Sequence, residues 1–517
     1  MSDTNCNIHS DKTPETPKHT PQKPESCGCN PAATVTSTPP ATKPPADSPS
    51  AVTAPATPDA PTGTSAGAAA SAVVVAAAAG AATADKGDFP HFMLKEIYEQ
   101  PEALANTLRG RLDFERGTSL LPEAPQPPAA QSPEAPQSPT SAQSPAVPQP
   151  PAAQPPVAAQ SPAAPQSPAS AEPTDFWQTA VTSDLAKVRR VIFLGHGTSM
   201  HAGMVARYAF EELAGIPAQV EQSADFRYRN PIVGPGDFVI AVSQSGETTD
   251  TLGAVREARE KGAETLGVCN VAGSSLERGT NAFVALHAGP EISIASTKAF
   301  TTQVCVLLML ALRFGRARRL SVEAGAAFAR ELAATPEQVA KVVAQDAAIA
   351  EIAKHYAHCE HAYFAGRGPL WAVALEGALK LKETSYLHAE GYHAAEVRHG
   401  PVSLLPGLGA KNTPPPCGPA EMPVIALACD IPGKTLTLRD VAEFRARGAR
   451  VFGIVTEGDT EAARAMDDFI AIPAAHPLTA AISATVALQL FAYHISRLRG
   501  CDVDKPRNLT KAVLVAA

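Results

Sequence analysis

The sequence predicts an α/β protein built from two tandem copies of one unit, each a doubly wound parallel sheet flanked by helices. Three observations predict it. Apolar, β-branched runs alternate with helix-patterned segments, an order that lays strands side by side in parallel and covers both faces of the sheet. A Gly-x-Gly turn follows a strand twice, at Gly195-His196-Gly197 and Gly366-Arg367-Gly368, 171 residues apart. Two further strands, TLGVC around Gly267 and VFGIV around Gly453, repeat at an offset of 186, each after a helix ending in Lys261-Gly262 or Arg447-Gly448. The fifteen additional residues match the Gly/Pro-rich stretch 406–420, read as a loop insertion in the second copy. A duplicated βα unit of this kind is expected to be flavodoxin-like.

Residues 1–86 are Pro, Ala, Thr and Ser with almost no large apolar side chains. They cannot bury enough surface to offset the entropy of ordering and are expected to be a disordered tail. Within it, Ala66 to Ala84 is mostly alanine with three valines. That is too weakly apolar for a membrane span and too deep for a secretory signal. Residues 87–121 have helical patterning, broken at Pro101. Residues 122–173 repeat AQSP and APQSP phrases and suit an extended or polyproline insertion. Setting both tracts aside leaves roughly 380 residues, enough for two domains. Their expected spans are 174–330 and 345–500, followed by a C-terminal tail, 501–517.

Acidic residues outnumber basic ones, 51 to 43, for a net charge of −8. With no Lys/Arg tract, nucleic acid is not an expected partner, and an anionic ligand must be captured by helix ends and single cations. The nine cysteines are odd in number, and core ones such as Cys269 and Cys305 sit singly among apolar neighbours. Reduced thiols in a cytoplasm fit that pattern. Cys27-Gly28-Cys29, with Cys6 and His9, lacks a fixed frame for metal. His355, His358, Cys359 and His361 fall at a helix end and a strand start and are read as structural. Neither a metal nor an organic cofactor is expected, nor is a membrane.

The stretch Asp237 to Glu257 is the most informative. Phe238 to Val242 reads as a strand buried on both faces; it stops at Ser243-Gln244-Ser245-Gly246-Glu247-Thr248, and helical spacing resumes from Asp250. Such a turn leaves free N–H groups at a positive helix end. Ser243, Ser245 and Thr248 add hydroxyls, and Gly246 would let the backbone approach an anion. The turn holds no lysine, so it is not a nucleotide P-loop. It is either an ordinary Ser/Thr-capped turn or a site for a small phosphate monoester. The second copy has Cys429-Asp430-Ile431-Pro432-Gly433-Lys434-Thr435 in its place, so the two copies are expected to differ in function.

Glu376, Lys380 and Glu383 are spaced by four and three residues and share one helical face. An exposed ion-pair ladder would look the same. This helix, however, follows a ligand-facing turn and runs into SYLHAEGYHAAEVRHGP. A carboxylate beside a lysine and a histidine is what proton transfer next to a carbonyl requires. His399-Gly400-Pro401 would fix an imidazole in a turn, and Lys511 offers an amine seven residues from the C-terminus.

The phrases KEIYEQP, SQSGETTDTL, ASTKAFTTQ, LEGALKLKE, RHGP and DVDKPRNLTK, in this order, resemble the isomerase half of glucosamine-6-phosphate synthase (glutamine–fructose-6-phosphate aminotransferase, isomerizing). That half consists of two sugar isomerase (SIS) domains, and the resemblance runs from Gly87 to the C-terminus outside the two proline-rich insertions. It implies that Ser199, Ser243, Gln244, Ser245 and Thr248 hold a sugar phosphate, with Ile294, Ser296 and Thr510 nearby. It implies that Glu383 moves a proton between C1 and C2, that Lys511 forms an imine with the open-chain ketose, and that Lys380 assists. His399 would help ring opening from the neighbouring subunit of a homodimer. The implied reaction turns fructose 6-phosphate into glucosamine 6-phosphate.

Two residues depart from the family pattern: His196, where relatives usually have cysteine, and Thr510, where they have alanine. In the whole synthase a glutaminase domain with an N-terminal cysteine precedes this half. Here residue 2 is Ser2, and no folded domain is expected before Gly87, so ammonia would come free or from a separate glutaminase. Ammonia-independent hexose-phosphate isomerisation, deamination or deglycation, and sugar-phosphate sensing without turnover, are the alternative readings.

Overall fold

The two strand–turn–helix repeats form two sheets of five strands each in the computed structural model, which describes residues 85–120, 183–408 and 421–511. The readings of the tail, of 122–173 and of most of 406–420 lie outside the described residues. Helices α1 (Phe92–Tyr98) and α2 (Gln100–Leu108) come first, then a short antiparallel ribbon of β1 (Leu112–Asp113) and β2 (Thr118–Ser119). The first repeat comprises α3 (Ser183–Lys187), β3 (Arg190–Gly195), α4 (Gly197–Ala209), β4 (Ala218–Gln222), α5 (Ser223–Tyr228), β5 (Asp237–Ser243), α6 (Thr249–Glu260), β6 (Glu264–Cys269), α7 (Ser275–Gly279) and β7 (Ala282–Ala285). Helices α8 (Lys298–Arg318), α9 (Val322–Val343) and α10 (Asp346–Ala353) connect it to the second. That repeat comprises β8 (His361–Gly366), α11 (Pro369–Ser385), β9 (His388–His393), β10 (Val424–Ala428), α12 (Lys434–Ala446), β11 (Val451–Thr456), α13 (Thr460–Ala465), β12 (Asp468–Ile472) and α14 (Pro477–Leu498).

The first sheet runs β4-β3-β5-β6-β7 and the second β9-β8-β10-β11-β12, with every neighbouring pair parallel. Numbered within its own repeat, each sheet has the flavodoxin order, and each reverses direction between its first and third strands, where ligand clefts open. The duplication is therefore one of topology as well as of sequence. Gly267 and Gly453 occupy corresponding places, facing Ala241 and Ala426 on the adjacent strands. Both positions are closely packed: an added Cβ would lie 3.0 Å from Thr280 Oγ1 at Gly267 and, at Gly453, 2.4 Å from Met466 Cγ, which would have to shift.

Strand β5 is buried along its whole length, as its unbroken apolar run predicts. One apolar cluster runs from Phe193 and Ile240 of the first sheet through Phe314 of α8 to Phe364, Phe452 and Phe491 of the second repeat. Truncating one of these rings to alanine costs about 3–5 kcal/mol in a packed core. Helices α8 and α14 are long and apolar enough to cross a bilayer, yet 94% of each apolar window is buried inside the chain. They are the walls against which the two repeats pack.

Candidate active site

At the carboxyl end of β5 the chain enters the Ser243–Thr248 turn and leaves it as α6. The Ser243 hydroxyl accepts a hydrogen bond from the Gly246 N–H (2.9 Å) and the Ser245 hydroxyl one from the Glu247 N–H (3.2 Å). Each hydroxyl thus keeps its own proton to donate outward. Thr248 caps α6 without a side-chain capping bond, so its hydroxyl and the first N–H groups of the helix remain available to an anion. These residues line a cavity of about 340 Å³ together with Ser199, His196, Asp250 and Lys511. Asp250 would repel an anion, but Arg227 holds its carboxylate at 3.1 Å.

Two residues fix the turn from beneath. Gly246 has φ +71°, and a Cβ there would lie 2.4 Å from Ser274 Oγ and 2.9 Å from Cys269 Sγ. Packing beneath the turn and the positive φ both require glycine there. Glu247 is buried and accepts from the Ser275 N–H (2.8 Å), fastening α7 below the turn.

Helix α11 starts at Pro369, whose missing N–H costs nothing at a first helical position. Its Glu376–Lys380–Glu383 face is no solvated ladder. Glu376 and Lys380 are buried, and Lys380 Nζ lies 3.4 Å from Glu376 Oε1 and 2.7 Å from Glu383 Oε2. The first repeat closes this cluster: the Thr198 hydroxyl donates to Glu376 (3.0 Å), Lys380 donates to Thr198 (3.2 Å), and His201 Nδ1 meets Glu376 at 2.8 Å. Burial would raise the Glu376 carboxyl, but Lys380, His201 and Thr198 outweigh it and hold the group below the ordinary carboxylate range. Burial likewise opposes the Lys380 charge, and Glu383 and Glu376 prevail, keeping the ammonium protonated. Thr198 precedes the cavity-lining Ser199, whose hydroxyl accepts from Gln303 of α8 (3.0 Å). Helix α11 of the second repeat and the hydroxyl-lined cavity of the first are therefore joined at Thr198 and Ser199.

Lys511 reaches this cavity by a different route. Its Nζ donates to Glu291 Oε2 (2.8 Å) and to the Ser293 carbonyl (2.5 Å). Glu291 is fully buried; its other oxygen accepts from the N–H groups of Thr297 and Ala299 and lies 3.5 Å from Ser296 Oγ. Burial pushes this carboxyl up, but Lys511 and the backbone donors bring it below its ordinary value. Beside it Glu96 of α1 accepts from the N–H groups of Ile292 (2.5 Å) and Ser293 (3.1 Å), while its second oxygen is buried without a hydrogen bond. Burial, then the charge of Glu291, pushes the Glu96 carboxyl up to about 8.

Lys380 is engaged by two carboxylates of its own helix, and the charged partner of Lys511 is Glu291. The start of the tail is itself packed: Val503 is fully buried and Asp504 caps α1 through the N–H groups of Phe92 and Met93.

Of the residues predicted from sequence, Ser199, Ser243, Gln244, Ser245, Thr248 and Lys511 come together at one cavity. Lys380 touches Thr198, the neighbour of the cavity-lining Ser199, and Glu383 is held by Lys380. Ser296 meets Glu291, which holds Lys511, and Ile294 is tied by its N–H to the Asp504 carbonyl (3.1 Å). Thr510 is exposed beside Lys511. His399 is exposed on a 3₁₀ turn and does not line the cavity. Glu96, Glu291, Thr198, His201 and Gln303 were not read as site residues. The only hint was position: Glu96 lies inside KEIYEQP and Gln303 inside ASTKAFTTQ. His355, His358, Cys359 and His361 do not form one ligand set: His355 pairs with Asp468, His361 with His388, and His358 and Cys359 with Glu421.

Two such repeats with a hydroxyl-lined cleft define a two-domain SIS protein, and the SIS domain model matches residues 184–313 and 355–406. Glutamine–fructose-6-phosphate aminotransferase [isomerizing] from Chlorobaculum tepidum is 41% identical over 431 residues, 83% of this chain and 59% of that protein. An enzyme of the same name from Thermus thermophilus is 39% identical over 433 residues, 84% of this chain and 60% of its own. The chain thus spans about 60% of the length of the curated relatives it matches. The solved C-terminal domain of glucosamine-fructose-6-phosphate aminotransferase from Francisella tularensis is 31% identical, with a TM-score of 0.65 over 82% of this chain and all of that one. Glucosamine-6-phosphate deaminase from Thermotoga maritima, 24% identical over 66% of this chain and 95% of its own at a TM-score of 0.51, shares the fold. The chain belongs to the family of the C-terminal domain of glucosamine-fructose-6-phosphate aminotransferase.

Proposed function

We propose that the chain is an aminating sugar-phosphate isomerase that converts fructose 6-phosphate into glucosamine 6-phosphate in the cytoplasm, with ammonia that is free or supplied by a separate glutaminase. The observation that carries this reading is the presence of the Lys511 amine at the same cavity as the Ser/Thr turn. A phosphate held by Ser199, Ser243, Gln244, Ser245 and Thr248 leaves the rest of a hexose to extend toward Lys511 and Glu383. Lys511 leaves Glu291, adds to the C2 ketone and expels water to give an imine. Ammonia adds to this imine and displaces the lysine. Glu383 then takes a proton from C1 and returns it to C2, giving the 2-amino aldose. Lys380, fixed between Glu376 and Glu383, holds that carboxylate in place. His399, exposed and off the cavity, acts in ring opening from a second copy of the chain in a homodimer. No metal or organic cofactor enters any of these steps.

Borohydride reduction in the presence of fructose 6-phosphate tests the reading. It should add a hexose-phosphate mass to the peptide containing Lys511, and Lys511→Arg should abolish both the adduct and amino-sugar formation. An adduct on Lys380, or one that survives Lys511→Arg, overturns the assignment. Ammonium-independent turnover would replace amination with simple isomerisation. Mixing inactive Lys511→Arg and His399→Ala chains should restore activity, because a hybrid dimer contains one site with both residues intact. Failure of mixing to restore it places His399 outside a shared site.

A further inference from the structure

We infer that His358, Cys359 and Glu421 form a binding site for a zinc-like divalent cation at the amino-terminal edge of the second sheet. His358 and Cys359 lie just before β8, and Glu421 lies three residues before β10, the strand paired with β8. The proposed catalytic cavity lies at the opposite, carboxyl ends of the strands, so the two sites are independent. His358 Nε2 is 2.7 Å from Glu421 Oε2, Cys359 Sγ is 3.4 Å from that oxygen, and Cys359 Sγ is 3.9 Å from His358 Nε2. One ligand atom from each residue thus falls within 4.8 Å of the others.

Imidazole, thiolate and carboxylate together are a donor set for zinc. Zinc bond lengths of about 2.0–2.3 Å at tetrahedral angles put neighbouring ligand atoms about 3.4–3.6 Å apart. Two of the three observed separations lie within about 0.4 Å of that range, and the third needs the His358–Glu421 pair to open by about 0.7 Å. Both of those side chains are about three-fifths exposed and free to turn. Cys359 is buried, and its carbonyl is fixed by Arg499 (2.9 Å), which pins the segment that presents the thiol. A thiolate and a carboxylate match the charge of a divalent ion, and a surface His–Glu pair alone would not require a thiol aimed at the same oxygen. Bound there, the ion would tie the segment before β10 to the start of β8.

Cobalt(II) added to the full chain is the direct probe, because a bound thiolate gives a sulfur-to-metal charge-transfer band independent of catalysis. The band should form with one ion per chain and be displaced by zinc. His358→Ala and Glu421→Gln change exposed side chains and should each weaken cobalt binding at least tenfold, since even a lost outer-shell partner costs about 10–100-fold. Cys359→Ser should remove the band while leaving borohydride trapping at Lys511 intact. Zinc should raise the melting temperature of the natural chain and leave that of Glu421→Gln unchanged. A band of equal strength and affinity in all three variants, or none in the natural chain, overturns the proposal.

Discussion

The carboxyl ends of the two sheets have one topology and opposite chemistry. In the first, the middle residue of Gly-x-Gly is His196, whose Nε2 is buried without a hydrogen bond and whose imidazole burial holds below its usual pKa. The β5–α6 turn beside it presents hydroxyls and an uncapped helix start. In the second, that middle residue is Arg367, paired with Asp440 (2.5 Å), which Arg398 also holds (2.6 Å). The turn after β10 is likewise self-satisfied: Lys434 bridges Asp430 (3.2 Å) and Asp459 (2.8 Å), and the Asp430 N–H donates to Thr456 (2.7 Å). A duplicated cleft thus became a hydroxyl-lined cavity in one copy and an internal salt-bridge network in the other. Topology supplied the cleft, and side chains decided its use. The second copy contributes instead through α11, whose ionic face is completed by Thr198 and His201 of the first.

The largest expected effect tests that division of labour. Glu383→Gln removes the proposed base and should lower kcat by about 10²–10⁴-fold with fructose 6-phosphate affinity unchanged, since the proposed phosphate-binding turn is in the other copy. An equal loss of affinity would mean that the two copies share the binding role. Next, Thr248→Val should raise KM about tenfold or more by deleting a hydrogen bond to a charged group. Thr435→Val, in the first turn of α12 after the second copy's turn, should leave KM unaltered.

A smaller effect concerns the Lys511 support. The folded chain keeps a proton on Glu96 up to about pH 8, whereas an ordinary glutamate loses it near 4.5. A carboxyl raised in this way contributes stability that is complete below about 4.5 and is lost as the pH rises toward 8. The melting temperature should therefore fall more steeply for the natural chain than for Glu96→Gln between about pH 5 and about pH 8.5; parallel curves would place that proton elsewhere. The smallest effect is expected from Lys434→Ala, which opens a partly exposed pair and should cost below about 1 kcal/mol with no change in kcat. A loss of activity there would show that the second turn is not chemically idle.

The sequence by itself determined the strand pattern, the duplication and the hydroxyl turn, because each rests on neighbours a few residues apart. Apolar runs dictate buried strands, and the step from strand to helix dictates an anion-ready turn. Ser243, Ser245, Thr248 and the Glu376–Lys380–Glu383 face were legible for that reason, whereas Ser199 came only from the family resemblance. Tertiary structure alone decided what holds them. Glu291 and Lys511 are 220 residues apart, Thr198 and Glu376 are 178 apart, and Glu96 meets Ser293 across 197. No local period links such pairs. Only the burial they share makes an uncompensated charge costly enough to force each to find its partner.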